Sequence, residues 1–163
     1  MKFCYECGTE LVLRELEDEG MIPFCKSCGE YRFPVFSTAV SMIVLNRDKT
    51  EILLIQQYGT ENNVLVAGYV NKGENAEEAA AREISEELGL EVAELGYCKS
   101  EYFPKTNTLM LNFRCTVSSE CLDGINRKEI DKAEWFPLEK AREAIMPDSL
   151  AKRFLCNFLD NLQ

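Results

Sequence analysis

GYVNKGENAEEAAAREISEELGL, residues 68–90, is the stretch on which the reading of the whole chain turns. Asn75 stands where a helix N-cap belongs, Glu78 follows three residues later, and Gly89 suits the position just past a C-terminus. The spacing therefore predicts a helix over 76–88. At 100° per residue, Ala80, Ile84 and Leu88 fall on one side, which should face a core. Glu83, Glu86 and Glu87, at i, i+3 and i+4, fall on the adjoining face. Like charges at that spacing repel by about 0.2–0.5 kcal/mol per pair on an open helix, and by more where water is excluded. A divalent cation removes the conflict. Three carboxylates on one turn offer the hard oxygen ligands that Mg²⁺ or Mn²⁺ takes, with positions left for water and phosphate. The competing reading is a solvated acidic helix.

Composition singles out the same stretch. The chain has 163 residues and a formal net charge of −10. Residues 74–94 carry eight Glu against one Arg, residues 1–33 contribute −3, and the remainder balances. An acidic, patch-free balance argues against broad contact with a nucleic-acid backbone, which wants a basic stripe. There is no histidine, which excludes a Ser-His-Asp triad, a Cys-His pair and any imidazole base or ligand. Acid–base chemistry must run on carboxylates, Lys, Tyr, Cys or activated water. No stretch is apolar enough to span a bilayer, and the start, MKFCYECGTE, lacks a signal-peptide core. A reducing, cytoplasmic setting without a membrane partner is the expectation.

Around residues 68–90 the pattern is β. TAVSMIVL, a polar turn at residues 46–49 and EILLIQQ form an expected hairpin. Val64 to Val70, Glu91 to Cys98, Leu109 to Val117 and Ala133 to Phe136 are further apolar runs. Leu138 to Ile145 and Ser149 to Leu162 read as helices, the second capped by Asp148. Its stripe of Leu150, Phe154, Phe158 and Leu162 should pack on the core.

The pattern Gly68-x₅-Glu74-x₇-Arg82-Glu83-Ile84-x-Glu86-Glu87-x-Gly89-Leu90 resembles a complete Nudix box. The resemblance implies a Nudix hydrolase: an α/β/α sandwich around a mixed sheet, cleaving the diphosphate bond of a nucleoside diphosphate linked to another group. It implies Glu83, Glu86 and Glu87 as ligands of Mg²⁺ or Mn²⁺, Glu74 and Arg82 as orienting residues, and a backbone approach at Ala67 and Gly68. Metal ions would polarise the phosphoryl oxygens and acidify a water whose proton a carboxylate takes, with Glu86 or Glu87 the candidate base.

Upstream, Cys4-x₂-Cys7-x₁₇-Cys25-x₂-Cys28 falls in the spacing range of a tetrahedral Cys₄ zinc site. Zn²⁺ there would be structural, supplying the folding energy that a 33-residue segment lacks. The redox alternative, thioredoxin-like dithiols, would want a βαβ pattern around the pairs. Cys98, Cys115, Cys121 and Cys156 show no metal spacing. The expected organisation is a zinc ribbon over 1–33 and a Nudix domain over 36–163.

A Cys₄ ribbon before a Nudix domain is similar to the NADH pyrophosphatase family. Ser100 to Met110 aligns without gaps on that family's substrate motif, agreeing at Ser100, Pro104, Leu109 and Met110, with Thr108 for Ser, and departing at Glu101, Tyr102, Phe103, Lys105 and Thr106. Tyr102 and Phe103 retain an aromatic pair able to stack on a ring, and Lys105 suits a phosphate or ribose. Lys128-Glu129-Ile130 is similar to a stretch carrying a further metal ligand, here Glu129. Ala151-Lys152-Arg153 resembles a segment that meets substrate through the Ala backbone. The expected substrate is NADH, NAD⁺ or a related dinucleotide. ADP-ribose, FAD or a nucleotide sugar is the alternative within the chemistry, and a non-catalytic nucleotide-sensing regulator the alternative outside it. A nucleic acid would enter only as a capped RNA end, and the resemblance favours a homodimer.

Overall fold

A computed structural model describes residues 1–162; Gln163 lies outside them. The chain divides between Phe36 and Ser37 into two compact units. In the first, β1 (Val12–Leu16), β2 (Gly20–Cys25) and β3 (Glu30–Tyr31) form an antiparallel sheet in that order. Its buried groups are two thiols, Cys4 and Cys25, and the guanidinium of Arg32. Phe24 meets Tyr31 edge-on at 5.0 Å, and Arg14 lies 4.6 Å above the Phe24 ring.

The second unit is built on β4 (Ser37–Leu45), β5 (Glu51–Gln57), β6 (Val66–Tyr69), α1 (Ala76–Leu88), β7 (Val92–Phe103), β8 (Thr108–Val117), β9 (Ile130–Pro137), α2 (Leu138–Ala144) and α3 (Leu150–Asp160). The sheet runs β7-β8-β4-β5-β9, with β6 paired to β4. β4 and β8 are parallel from Ser37↔Thr108 to Leu45↔Thr116 and the other pairs are antiparallel, so the sheet is mixed. β4 reads as a nearly continuous apolar run, broken within its buried stretch by Ser41, because it is buried on both faces. Val40, Met42 and Val44 pack with α1, while Ile43 and Leu45 pack with α2 and α3. This is the α/β/α arrangement with a mixed sheet that the resemblance implies.

The expected hairpin departs from a full ladder. β4 and β5 share one pair, Leu45↔Ile52, and then splay apart. Residues 64–69 fill the gap: Val64 bridges Ile55, and Val66–Tyr69 pairs with Ala39–Met42. Opposite strand edges with apolar faces are better served by a third apolar segment than by each other, since every buried backbone N–H and C=O must find a partner. β7 also runs past the expected Cys98 to Phe103, closing on β8 through a turn at residues 104–107.

Two helix-end expectations are corrected. Ser149, not Asp148, caps α3, its Oγ accepting the Lys152 N–H at 3.0 Å. Asp148 instead takes a left-handed conformation, φ 55°, in the preceding turn. α3 ends at Asp160, so Leu162 is exposed, and the packed face is Phe154, Leu155, Phe158 and Leu159. Among the described residues no helix is long and apolar enough to cross a membrane.

Candidate active site

The helix over residues 76–88 has both expected ends. Asn75 Oδ1 accepts the Glu78 N–H at 2.8 Å and Glu78 Oε2 accepts the Asn75 N–H at 3.2 Å, a reciprocal box. Gly89 closes it in the left-handed region at φ 67°, where an added Cβ would also meet the Gly124 carbonyl oxygen at 2.7 Å. Ala80, Ile84 and Leu88 are buried as the periodicity requires, and so is Glu87, 4% exposed.

Arg82 organises the acidic face. Its Nε and Nη2 donate to the two oxygens of Glu74 at 2.7 and 3.1 Å, a fork-to-fork pair, and Nη1 donates to Glu83 at 2.8 Å and Glu86 at 3.0 Å. Nη2 also reaches the Tyr69 carbonyl at 3.0 Å, tying α1 to β6. The guanidinium holds the Glu74 carboxyl below its ordinary range. Glu74 further accepts the Asn71 N–H at 3.0 Å. On β6, Gly68 packs directly against Glu83; a Cβ there would collide with the Glu83 carboxyl carbon and Oε1. A side chain at residue 68 would therefore displace that carboxylate, and neighbouring Ala67 is exposed beside it.

Glu87 has the opposite environment. Burial, then the charges of Glu83 and Glu129, push its carboxyl up to about 7, partly countered by Gln57 Nε2, which donates to Oε1 at 3.3 Å. Oε2 is buried without a hydrogen-bond partner. Glu129 is exposed in the turn before β9, where Asn126 donates its N–H to the Glu87 carbonyl at 2.9 Å. Glu83, Glu86 and Glu87 thus share the C-terminal half of α1, and the charge of Glu129 reaches Glu87 from the loop before β9. An orphaned carboxylate oxygen beside further carboxylates is a donor set that suits a hard divalent cation. Gln57 carries no signal in the sequence beyond polarity at the end of an apolar run, and Asn126 none within its polar loop.

Bordering this cluster, on the α3 side of the sheet, is a cavity of about 260 Å³. Ser41, Gln57, Val64, Ala67, Met110, Asn112 and Ala151 are among its walls. Ala151 is thus placed at the cavity. Glu101, Tyr102, Phe103, Lys105 and Thr108 lie instead on the β7–β8 hairpin and its turn. Tyr102 Oη donates to Asn107 at 2.9 Å, Glu101 pairs with Arg153, Lys105 is exposed, and the buried Thr108 hydroxyl lies 2.8 Å from that of Thr106. None of these five is among the described lining residues of the cavity, though Glu101 is the ladder partner of Met110 in its wall.

In the first unit the four thiols of Cys4, Cys7, Cys25 and Cys28 lie within 4.8 Å of one another and could form a zinc site. Each pair makes the same turn: Gly8 N–H donates to the Cys4 carbonyl and Gly29 N–H to that of Cys25, both at 2.9 Å. Arg32 Nε donates to Cys4 Sγ at 3.2 Å and holds that thiol below its usual range. Arg32, too, was not anticipated from spacing. Among the other cysteines, Cys115 is buried in the core, Cys98 and Cys121 are exposed and Cys156 is half-buried.

Comparison with known proteins places this geometry. A protein named NAD-capped RNA hydrolase NudC from Pseudomonas aeruginosa is 34% identical over 161 residues, covering 97% of this chain and 55% of that protein. One of the same name from Shigella dysenteriae is 31% identical over 156 residues, covering 94% and 58%. The chain thus spans little more than half the length of these curated relatives. A crystal structure of a NUDIX hydrolase from Nitrosomonas europaea superposes with a TM-score of 0.61 at 24% identity, covering 95% of this chain and 90% of that one. The NUDIX domain family model matches residues 35–158, the whole of the α1 carboxylate cluster included, and the chain belongs to the NUDIX domain family.

Proposed function

We propose that the chain is a metal-dependent diphosphatase that hydrolyses the diphosphate bond of NADH, NAD⁺ or a related dinucleotide. The observation that carries this is the carboxylate cluster on α1, held by Arg82 and leaving the buried Glu87 Oε2 without a partner, at the border of a ring-sized cavity. Glu83, Glu86, Glu87 and Glu129 would hold Mg²⁺ or Mn²⁺, with the backbone at Ala67 and Gly68 close by. Bound there, the ion supplies Lewis-acid polarisation of the phosphoryl oxygens and charge neutralisation. Arg82 and Glu74 hold the ligand carboxylates in register. Glu86 or Glu87 takes the proton of the attacking water as its oxygen bonds to phosphorus and the bridging P–O bond breaks. Ala151 would meet the substrate through its backbone. Glu101, Tyr102, Phe103, Lys105 and Thr108 would meet the remainder of a long substrate, the aromatic pair by stacking and Lys105 by charge. The names of the curated relatives support an NAD-linked substrate, including the end of an NAD-capped RNA. The four thiols would hold one structural Zn²⁺ in a reducing cytoplasm.

The test is turnover by purified protein, with Mg²⁺ or Mn²⁺, of NADH, NAD⁺, an NAD-capped RNA, ADP-ribose and FAD, products resolved by chromatography. NADH or NAD⁺ should turn over faster than ADP-ribose and FAD. Faster turnover of the latter moves the substrate assignment. Hydrolysis of none, with tight binding of one, makes the chain a nucleotide sensor and overturns the proposal.

A further inference from the structure

The cavity beside the carboxylates has one unanswered polar group. Asn112 is 1% exposed, and its Nδ2 has no hydrogen-bond partner. A buried N–H donor left unpaired is costly and rare, so its presence asks for an explanation. Asn112 is a direct partner of Ser41 in the parallel β4–β8 ladder, so both side chains leave the sheet on one face. That face is the cavity floor, where both residues line the space. Val64, Met110 and Leu150 give it apolar walls, and no Lys or Arg is among its described lining residues. A phosphate would be poorly held in such a space. A flat ring would fit, with its faces on the apolar walls and an acceptor atom at its edge.

Position ties the cavity to the chemistry. Gln57 lines it and donates to Glu87, and Ala67 lines it immediately before Gly68, which packs on Glu83. A substrate with its diphosphate at the carboxylates therefore has one ring within reach of the cavity.

We propose that Asn112 is a specificity-determining residue: its buried amide N–H donates to an acceptor on the edge of a heteroaromatic ring seated between β4, β8 and the start of α3. This rests on the diphosphatase function proposed for the carboxylate cluster, and extends it to the ring that the enzyme selects. The acceptor is a ring nitrogen, as in adenine, or a carboxamide oxygen, as in nicotinamide. A site built to hydrogen-bond its ligand discriminates against one lacking the acceptor.

The experiment is a titration of the full, zinc-loaded chain with AMP, nicotinamide mononucleotide and ribose 5-phosphate, with Mg²⁺ present. These probes share the phosphate and ribose and differ in the ring. The wild type should bind one of the two nucleotides about tenfold or more tighter than ribose 5-phosphate, and Asn112→Leu should reduce that ratio to about threefold or less. Which nucleotide leads identifies the acceptor. A wild type with no preference for a ring, or a ratio that survives Asn112→Leu, overturns the proposal. Asn112→Ala takes the amide away without filling its place and must also lower the ratio; thermal melting shows that each variant is folded. Loss of hydrolysis of every diphosphate, with the Asn112-dependent ratio intact, sinks the diphosphatase function alone.

Discussion

The two units gather candidate metal ligands by opposite means. The second crowds carboxylates on a helix backed by an apolar core on each face of a six-stranded sheet. The first has thiols where its core would be: Cys4 and Cys25 are its buried apolar residues, with Arg32 beside them. Each cluster is held by one arginine, Arg82 on three carboxylates and Arg32 on one thiol. A large core can bear the repulsion of crowded carboxylates, whereas a unit whose buried groups are two thiols and an arginine has little apolar burial to hold it together.

Zinc removal presses hardest on this contrast. Structural zinc contributes about 10–16 kcal/mol in small domains, so a chelator should unfold residues 1–36 and leave the cooperative melt of the sheet unit. Metal analysis should find about one zinc per chain, and amide signals of the first unit that persist after chelation would end the assignment. Next in size is Glu87→Gln, which should lower kcat/KM with Mg²⁺ by about 10²–10⁴-fold, the range for a lost acid–base group. Wild-type turnover would remove Glu87 from the catalytic set.

The same substitution should affect stability in the other direction. The Glu87 carboxyl is raised to about 7 in the folded chain without divalent ions. Its proton is held more tightly folded than unfolded, so stability is full below the ordinary carboxylate pKa and falls as pH rises through 7. At pH 8 the magnesium-free Glu87→Gln variant should therefore be more stable than wild type by on the order of 1–3 kcal/mol, an advantage that vanishes near pH 4. Melting curves across that range check it, and a pH-independent difference contradicts it. The smallest effect belongs to Asn75→Ala. Loss of the cap should cost about 1 kcal/mol and lower the sheet unit's midpoint by roughly 3–5 °C, with the first unit's zinc content unchanged.

What the sequence disclosed, and what it withheld, follows from the range of the interactions. Both ends of α1 were legible because a cap is a contact between residues three or four apart. The thiol turns were legible for the same reason. The splaying of β4 from β5 was not, because local alternation says that a strand is buried without saying which strand lies beside it. Asp148 lost the α3 cap to its neighbour Ser149, and a shift of one residue at a helix end is below what periodicity resolves. Leu162 fitted the stripe but falls beyond the last turn. Gln57, Asn112 and Arg32 matter through partners, or the lack of one, far along the chain. Asn112 left a faint trace as an amide in the apolar run of β8.

The strip that enters the gap between β4 and β5 has a consequence for anyone redesigning this protein. Within six residues it supplies Val64 and Ala67 to the cavity and Gly68 to the Glu83 carboxylate. Its backbone is tied to β5 at one end and β4 at the other, so pocket shape and carboxylate placement cannot be varied independently there. New substrate preferences are better sought from β8 and the first turn of α3, which touch the cavity and leave the carboxylates alone.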